Sequence, residues 1–130
     1  MTSIFSKIIL GEIPAYKIYE DEDFLAFLDA FPVVKGHTLV IPKKEIDHVF
    51  EIDDDQYTKY LLVCKRIASA LSKAIPCKRV GSAIVGLEVP HAHIHLIPLN
   101  KMSDMDFGKE KLILSKKEFE EIVQSIKSYL

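Results

Sequence analysis

The stretch VPHAHIHLIPL (residues 89–99) places three of the chain's five histidines at alternate positions, each followed by an apolar residue. The prolines near both ends disfavour a helix, whereas strict alternation is typical of a half-buried strand. On such a strand, one face would carry His91, His93 and His95, and the other face would carry the apolar residues between them. We therefore predict that the apolar face packs against helices and that the imidazoles form a polar row on a sheet.

Four further strands and three helices are predicted around this stretch. Apolar alternation and β-branched residues predict strands at residues 15–21, 24–29, 37–43 and 79–86. Residues 53–75 repeat apolar side chains with a helical period and predict the longest helix. A short helix is predicted within residues 5–14, ended by Gly11, and a C-terminal helix opens with a capping box of Ser115 and Glu118.

The order of these elements predicts the α+β class. The fourth strand and the histidine strand are joined by few residues, so they should be antiparallel neighbours. We expect one antiparallel sheet of five strands with helices on one face. The length of 130 residues suits a single domain over residues 1–130.

Composition narrows the classes of partner. The hydrophobic fraction is 48%, the charged fraction is 28% and the formal net charge is −2. This balance provides no basic field for nucleic acid or an anionic membrane, so we expect neither as a partner. Cys64 and Cys77 form no Cys-x-x-Cys pattern and indicate buried thiols in a reducing compartment. No segment approaches the roughly 20 apolar residues of a membrane span, so we expect a cytoplasmic protein.

Three chemical interpretations of the histidine row are open on the residues alone. The imidazoles could solvate an open sheet face, although threonine, lysine or glutamate would serve as well there. They could bind a metal through two neighbours about 6.8 Å apart along a strand, with a further ligand such as His37 or His48. They could act on phosphate, because neutral imidazole is nucleophilic near pH 7 and a rigid strand holds several rings in register.

The heptapeptide HAHIHLI (residues 91–97) matches the pattern His-φ-His-φ-His-φ-φ, where φ is apolar, of the histidine triad (HIT) family of nucleotide hydrolases and transferases. The segment SIFSKIILGEIPAYKIYEDEDFLAFLDAFPVVKGHTLVIPKKEIDHV (residues 3–49) resembles the N-terminal half of bacterial members almost throughout. The resemblance covers about residues 3–99. Residues 100–130, with a helix at about 116–129, resemble an extension found in some members. The role of residues 100–111 is open: because they follow the histidine strand, they could cap the cleft or reach the partner subunit.

The resemblance implies a five-stranded antiparallel sheet with one long central helix, a short N-terminal helix and a C-terminal helix. Family members usually form homodimers with a continuous ten-stranded sheet, and they bind purine nucleoside monophosphate groups. They cleave the bond between the α-phosphate and a leaving group, which is an amine, a second nucleotide or another phosphate. The chain is therefore expected to be a nucleotide phosphoramidase or hydrolase that acts on a purine nucleotide as a homodimer.

Carried over by position, the resemblance also implies a role for individual residues. His93 would be the nucleophile that becomes a nucleotidyl-histidine, His95 would hydrogen-bond the phosphate, and His91 would orient His93. His37 would complete the polar cluster, and Asp29 would accept hydrogen bonds from the ribose hydroxyls. The cleft for the base would be lined by Phe5, Ile8, Phe27 and Ala30.

The N-terminal segment departs from the family pattern. Many bacterial members bind a structural zinc with a Cys-x-x-Cys and two histidines. Here Ser3 and Ser6 stand at the cysteine positions, while His48 and His91 match the histidines. Serine is a poor zinc ligand, so we expect neither a structural zinc nor another cofactor.

The loop VGLEVP (residues 85–90) is a second departure, because it is shorter than the family's Gly-rich segment before the triad. Leu87 stands where glutamine is usual, and Gly86 would let the backbone approach the ligand. Glu88 stands where a hydroxyl is common, and we hypothesise that it recognises or protonates an amine leaving group. Two alternatives to hydrolysis stay open: a nucleotide-binding regulatory module with little turnover, and a metal-binding protein that uses the histidine row.

Overall fold

The sheet has five strands within residues 2–130, which are the residues that the computed structural model describes. The strands are β1 (Lys17–Glu20), β2 (Phe24–Leu28), β3 (Thr38–Pro42), β4 (Arg79–Ala83) and β5 (Ile94–Leu99), in the spatial order β1-β2-β3-β5-β4. The α-helices are α1 (Ile4–Ile9), α2 (Asp54–Ala74) and α3 (Lys116–Lys127), and single-turn 3-10 helices occupy Val49–Glu51 and Met102–Met105. All strand pairs are antiparallel, which confirms the α+β class and the pairing of β4 with β5.

Strand β2 is apolar along its whole length because both of its faces are covered, and all five of its side chains are buried. Phe24, Ala26 and Leu28 belong to a larger core on one side of the sheet. Leu25 and Phe27 belong to a smaller core on the other side. The period of two residues therefore places two separate apolar clusters on one strand.

The larger core lies between the sheet and the two longer helices. Tyr60, Ile67 and Leu71 of α2 are fully buried in it, and Phe119 and Ile126 of α3 join them. The apolar residues that alternate with the histidines belong to the same cluster. The predicted packing of their side against helices is therefore confirmed.

Helix α1 packs on the opposite face, so the prediction that helices cover one face only is wrong. Its buried side chains, Phe5 and Ile8, pack with Leu25 and Phe27 in the smaller core. The Phe5 ring also lies edge-on to the His93 ring, with centroids 5.1 Å apart. The physical reason is that the second apolar face of β2 also needs a cover, and α1 supplies it.

Local signals set the helix ends. Asp53 caps α2, because its Oδ1 accepts the Gln56 N–H at 3.0 Å. The predicted capping box of Ser115 and Glu118 is present at the start of α3. After α1, Gly11 adopts a φ of 79°, the left-handed conformation that favours glycine at a helix end.

Within residues 2–130, no helix combines the length and the apolar character that crossing a membrane requires.

Strand β5 begins at Ile94, so the prediction of a strand over the whole histidine stretch is wrong, and of the three histidines only His95 lies in the strand. The cause lies in the neighbouring strand, where Pro42 has no N–H to donate to the ladder. The Pro42 carbonyl oxygen is instead taken by the His91 ring at 2.7 Å. The late start of β5 also shortens its neighbour β4. Because Ala83 pairs with His95 and the residues before Ile94 are outside the sheet, β4 ends at Ala83 and not at the predicted residue 86.

Leu71→Ala should destabilise the protein strongly, because Leu71 is 0% exposed within the larger core. Truncating a buried leucine costs about 2–5 kcal/mol in free energy of unfolding. Leu62→Ala is the matched control on the same helix, since Leu62 is 60% exposed, and it should cost less than about 0.5 kcal/mol. Urea unfolding followed by circular dichroism measures both, and equal losses would contradict this core.

Candidate functional site

The His91 side chain is buried and hydrogen-bonded at both ring nitrogens. Its Nε2–H donates to the Pro42 carbonyl oxygen at 2.7 Å, and its Nδ1 accepts from the Ser3 hydroxyl at 2.9 Å. Because a carbonyl oxygen only accepts, the first bond fixes the proton on Nε2. With both nitrogens engaged and no exposed surface, His91 is an anchor that a ligand does not reach.

His93 is oriented by the backbone of His91 and not by its ring. The Nδ1–H of His93 donates to the His91 carbonyl oxygen at 2.8 Å. This bond fixes the tautomer and leaves a lone pair on Nε2. A free imidazole lone pair is the nucleophilic atom of neutral histidine.

A backbone amide sets the proton positions of the two remaining site histidines. The Val33 N–H donates to His37 Nδ1 at 3.1 Å, so His37 carries its own proton on Nε2. That Nε2–H donates to His95 Nδ1 at 2.8 Å. His95 therefore carries its proton on Nε2, where it is free to donate to a ligand.

Burial keeps these imidazoles neutral at pH 7. It is the main cause that lowers the pKa of His95 to about 4 and the pKa of His37 to about 3. Burial also lowers the pKa of His91, against the opposing effect of its bond to the Pro42 carbonyl. The free Nε2–H of His95 is thus an uncharged donor.

The His93 and His95 rings are adjacent and edge-on, with centroids 5.1 Å apart. Within residues 2–130, no buried side-chain nitrogen or oxygen lacks a hydrogen-bond partner. The two Nε2 atoms that have no partner therefore lie at the accessible surface, which we call the histidine cleft. A phosphate group in this cleft can be attacked by the lone pair of one ring while its oxygen accepts from the other.

Asp29 follows β2 and borders the histidine cleft. Its Oδ1 accepts the Phe31 N–H at 2.9 Å, and its Oδ2 lies 3.6 Å from His37 Nε2. Burial raises the pKa of Asp29, while the Phe31 amide and the positive charge of Lys111 act to lower it. The carboxylate is partly exposed, so it has a free edge that can accept from a ligand hydroxyl.

The residues predicted to line a base cleft fall into two groups. Phe5, Ile8 and Phe27 are buried in the smaller core, with the Phe5 and Phe27 ring centroids 5.6 Å apart. Phe5 reaches the histidines directly, through its edge-on contact with His93. Ala30 is exposed. Contact of these four residues with a base stays a prediction.

The loop before the triad is exposed on the side of the site that carries Asp29. Gly86 adopts a φ of 71° and has open space where a side chain would stand. Glu88 is exposed, and its negative charge raises the pKa of Asp29. The predicted roles of Gly86 and Glu88 toward a ligand stay predictions.

The HIT domain family matches residues 10–102. The chain belongs to the HIT family. An uncharacterised HIT-like protein of Borreliella burgdorferi is 40% identical over 137 residues, which cover 95% of this chain and 94% of that protein. The adenosine 5′-monophosphoramidase of Schizosaccharomyces pombe is 32% identical over 130 residues and 98% of both chains. A crystal structure of a HIT-like protein of Bartonella henselae, described as involved in cell-cycle regulation, aligns with a TM-score of 0.85 at 31% identity, covering 98% of this chain and 96% of that one. These matches confirm the resemblance drawn from the HAHIHLI motif.

Some residues of the site in this HIT protein are not singled out by sequence reasoning. The Phe107 ring lies beside His95, with centroids 4.7 Å apart, and the Lys111 charge acts on Asp29. Both come from the segment after β5, which shows neither periodicity nor a motif. Val33 acts through its backbone N–H, a group that every residue except proline carries.

The residues at the zinc positions of the family do not fit the metal. Both ring nitrogens of His91 are hydrogen-bonded, and His48 is exposed. Ser3 and Ser6 instead join Glu45, whose Oε1 accepts from the Ser3 N–H at 2.6 Å and from the Ser6 hydroxyl at 2.9 Å. These residues form a serine network (Ser3, Ser6, Glu45 and His91) that ties α1 to the triad. The absence of a structural zinc stays a prediction.

One group of side chains has the spacing of a metal site. Donor atoms of Asp29, His37 and His95 lie within 4.8 Å of one another. The facing nitrogens of the two imidazoles are engaged with each other, because the His37 Nε2–H donates to His95 Nδ1. A metal on His37 Nε2 would have to displace that proton, and moving the proton to Nδ1 would break the bond from the Val33 N–H, which only donates. The geometry therefore favours a hydrogen-bonded histidine pair.

Ser3→Ala should cost more stability than Ser115→Ala, although both serines are helix N-caps. Loss of a cap costs about 1 kcal/mol in either variant. Ser3→Ala also leaves the buried Nδ1 of His91 without its donor, which adds about 1–3 kcal/mol. Urea unfolding measures the difference, and equal costs would contradict the serine network.

Elemental analysis of the wild type, purified without added metal, should find no stoichiometric zinc.

Proposed function

We propose that this HIT protein hydrolyses a conjugate of a purine nucleoside monophosphate, such as a nucleoside phosphoramidate, at the α-phosphate through a nucleotidyl-histidine on His93. The observation that carries the proposal is the pair of free nitrogens, a lone pair on His93 Nε2 beside an N–H on His95 Nε2. The Schizosaccharomyces pombe relative, which is similar along nearly the whole chain, is named an adenosine 5′-monophosphoramidase. The proposed enzyme class is therefore a nucleotide phosphoramidase or hydrolase.

In the first step, His93 Nε2 attacks the α-phosphorus and forms a phosphorus–nitrogen bond. The bond from phosphorus to the leaving group breaks, and its electron pair stays with the departing amine nitrogen, which takes a proton. That proton comes from solvent, and Glu88, a carboxylate in the exposed loop just before the triad, is our candidate to recognise the amine. The His93 ring becomes positively charged, and the His91 carbonyl that accepts its Nδ1–H stabilises this charge.

His95 stabilises the charge that builds on the phosphate. Its Nε2–H donates to a phosphate oxygen, and the bonds from Val33 through His37 hold the ring in place without reorganisation. The pKa of His95, about 4, keeps this donor uncharged at neutral pH. In the second step, water attacks the phosphorus and gives a proton to the phosphate or to solvent. The phosphorus–nitrogen bond breaks, and the lone pair returns to His93 as the nucleoside monophosphate leaves.

Asp29 is proposed to accept hydrogen bonds from the ribose hydroxyls. Its carboxylate is partly exposed and lies 3.6 Å from His37 Nε2, at the border of the histidine cleft. The base is proposed to lie along the edge of the smaller core, near Phe5, Ile8, Phe27 and Ala30. The contact between Phe5 and His93 supports this placement, because it joins that core to the reactive ring.

His93→Ala should abolish the release of AMP from adenosine 5′-phosphoramidate without added metal. Loss of the nucleophile should lower kcat by about 10³-fold or more. His95→Ala keeps the nucleophile and should lose about 10²-fold. His48→Ala is the matched control, because His48 is exposed and outside the site, and its kcat should equal that of the wild type.

The other outcomes separate the remaining alternatives. Equal turnover by the wild type and by folded His93→Ala would contradict the role of His93. Tight AMP binding by the wild type without turnover would favour the nucleotide-binding regulatory module. Loss of turnover on adding a chelator would favour the metal-binding alternative.

We also propose that two copies of the chain pair along β4 to form a homodimer. β4 lies at an edge of the sheet, and an unpaired edge readily pairs with another chain. A groove of about 250 Å³ runs between β4 and α2 and is lined in part by Leu61, Ala68 and Val80. An open edge beside an apolar groove suits the ten-stranded sheet that the family resemblance implies.

Leu61→Glu should weaken the dimer by about 10²-fold or more, because it places a charge inside this groove. Leu10→Glu is the control, since Leu10 is exposed just after α1 on the other face of the sheet. Sedimentation equilibrium measures the dimer dissociation constant of each protein. A monomeric wild type, or a dimer that Leu61→Glu leaves intact, would contradict pairing along β4.

Residues 1–130 are proposed to form a single domain, since α3 shares the larger core with α2 and the sheet. The activity is proposed to be cytoplasmic, as both Cys64 and Cys77 are free thiols.

A further inference from the structure

The segment after β5 folds back across the histidine cleft. Asp104 begins the reversal, because its Oδ2 accepts two backbone N–H groups just after β5 at 2.8 and 3.1 Å. At the far end, the Leu112 N–H donates to the Pro32 carbonyl oxygen at 2.9 Å. Pro32 lies in the loop between Asp29 and His37, so the intervening residues 106–111 cross beside the site.

Phe107 is the side chain that this segment lays on the histidine pair. Its ring centroid lies 4.7 Å from that of His95 and 6.1 Å from that of His37. These are the two rings joined by the hydrogen bond of 2.8 Å. An apolar ring at this distance excludes water from the bond and strengthens it through the lower local dielectric.

Lys111 holds the turn that carries Phe107. Its Nζ donates to the Phe107 carbonyl oxygen and, at 3.3 Å, to the Lys109 carbonyl oxygen. Within the same turn, Asp106 Oδ1 accepts the Gly108 N–H at 2.8 Å. The turn is thus closed by side-chain bonds of its own and anchored by the bond of Leu112 to the loop after β2.

We propose that Phe107 is a positioning residue of this HIT protein, whose ring covers the His37–His95 hydrogen bond while Lys111 latches the turn that holds the ring in place. The matched HIT domain ends at residue 102, so both residues come from the part of the chain beyond it. The inference rests on the proposed function, because it concerns the donor that His95 would present to the phosphate.

The groups that face the pair are His93, Asp29 and Lys111. Burial is the largest cause of the low pKa of both rings in the pair, and the charges of Lys111 and His93 lower the pKa of His37 further. Asp29 lies 3.6 Å from His37 Nε2, and Glu88 acts on Asp29. Truncating the Phe107 side chain exposes the His37–His95 pair to water and leaves the neighbouring charged groups in place.

The test compares Phe107→Ala and Phe107→Leu with the control Phe50→Ala. Phe50 is exposed, at 77%, on the 3-10 helix Val49–Glu51. Titration of the ring resonances by NMR should show that Phe107→Ala raises the pKa of His95 by about one unit or more, toward its ordinary value. Phe107→Leu, which restores an apolar cover, and Phe50→Ala should both titrate like the wild type.

Turnover of adenosine 5′-phosphoramidate gives a second readout. When His95 is protonated on Nδ1, it loses the bond from His37 and with it the fixed direction of its donor. Phe107→Ala should therefore move the acid-side fall of kcat to higher pH and lower kcat about tenfold, with KM changed less than about threefold. Lys111→Met should also move the acid-side fall of kcat to higher pH and lower kcat. Lys111→Arg, which keeps a donor for the turn, should restore both toward the wild type.

An unchanged pKa of His95 in a folded Phe107→Ala variant would overturn the proposal, and so would an equal shift in Phe50→Ala. Because the NMR titration needs no turnover, it decides on Phe107 even if the wild type fails to release AMP. That failure would overturn the proposed function alone.

Discussion

The hydrogen bond from the His91 ring to the Pro42 carbonyl joins the parts of the molecule that meet at the site. It forms where β3 loses a backbone donor and before β5 has begun. On its other side, the same ring accepts from Ser3, which brings α1 to the triad. The His91 backbone carbonyl then receives the Nδ1–H of His93. His91 thus connects the sheet and the first helix through its buried ring, and it holds the reactive ring through its backbone carbonyl.

Backbone groups set the chemistry of the cleft as much as side chains do. A carbonyl fixes the tautomer of His91, another fixes that of His93, and the Val33 amide fixes those of His37 and His95. Backbone donors and acceptors have only one role each, so no alternative pattern of protons satisfies all four rings. The result is a lone pair on His93 and a proton on His95, in adjacent rings, and burial keeps His37 and His95 neutral.

Periodicity made the strands and the long helix predictable, and a four-residue motif made the capping box of α3 predictable. Each of these features depends on residues close together in the sequence. The HAHIHLI motif predicted the family for the same reason. The start of the histidine strand was predicted too early, because its late start at Ile94 depends on the missing N–H of Pro42 in another strand. The face on which α1 packs depends on β2 being buried from both sides. Phe107 reaches the site through a reversal of the chain, which no local pattern encodes.

The hydrogen bond from the Val33 N–H gives a fixed direction to the hydrogen bonds that run through His37 to His95. A backbone amide neither gains nor releases a proton near neutral pH, so the order Val33, His37, His95 cannot be reversed to pass a proton back. The Nε2 of His95 already holds a hydrogen and its Nδ1 is occupied by His37, so this ring can donate but cannot serve as a base. In the proposed reaction, the attacking water therefore gives its proton to the phosphate or to solvent. Chemically, His95 then resembles the amide donor of an oxyanion hole more closely than it resembles the acid and base of a hydrolytic triad.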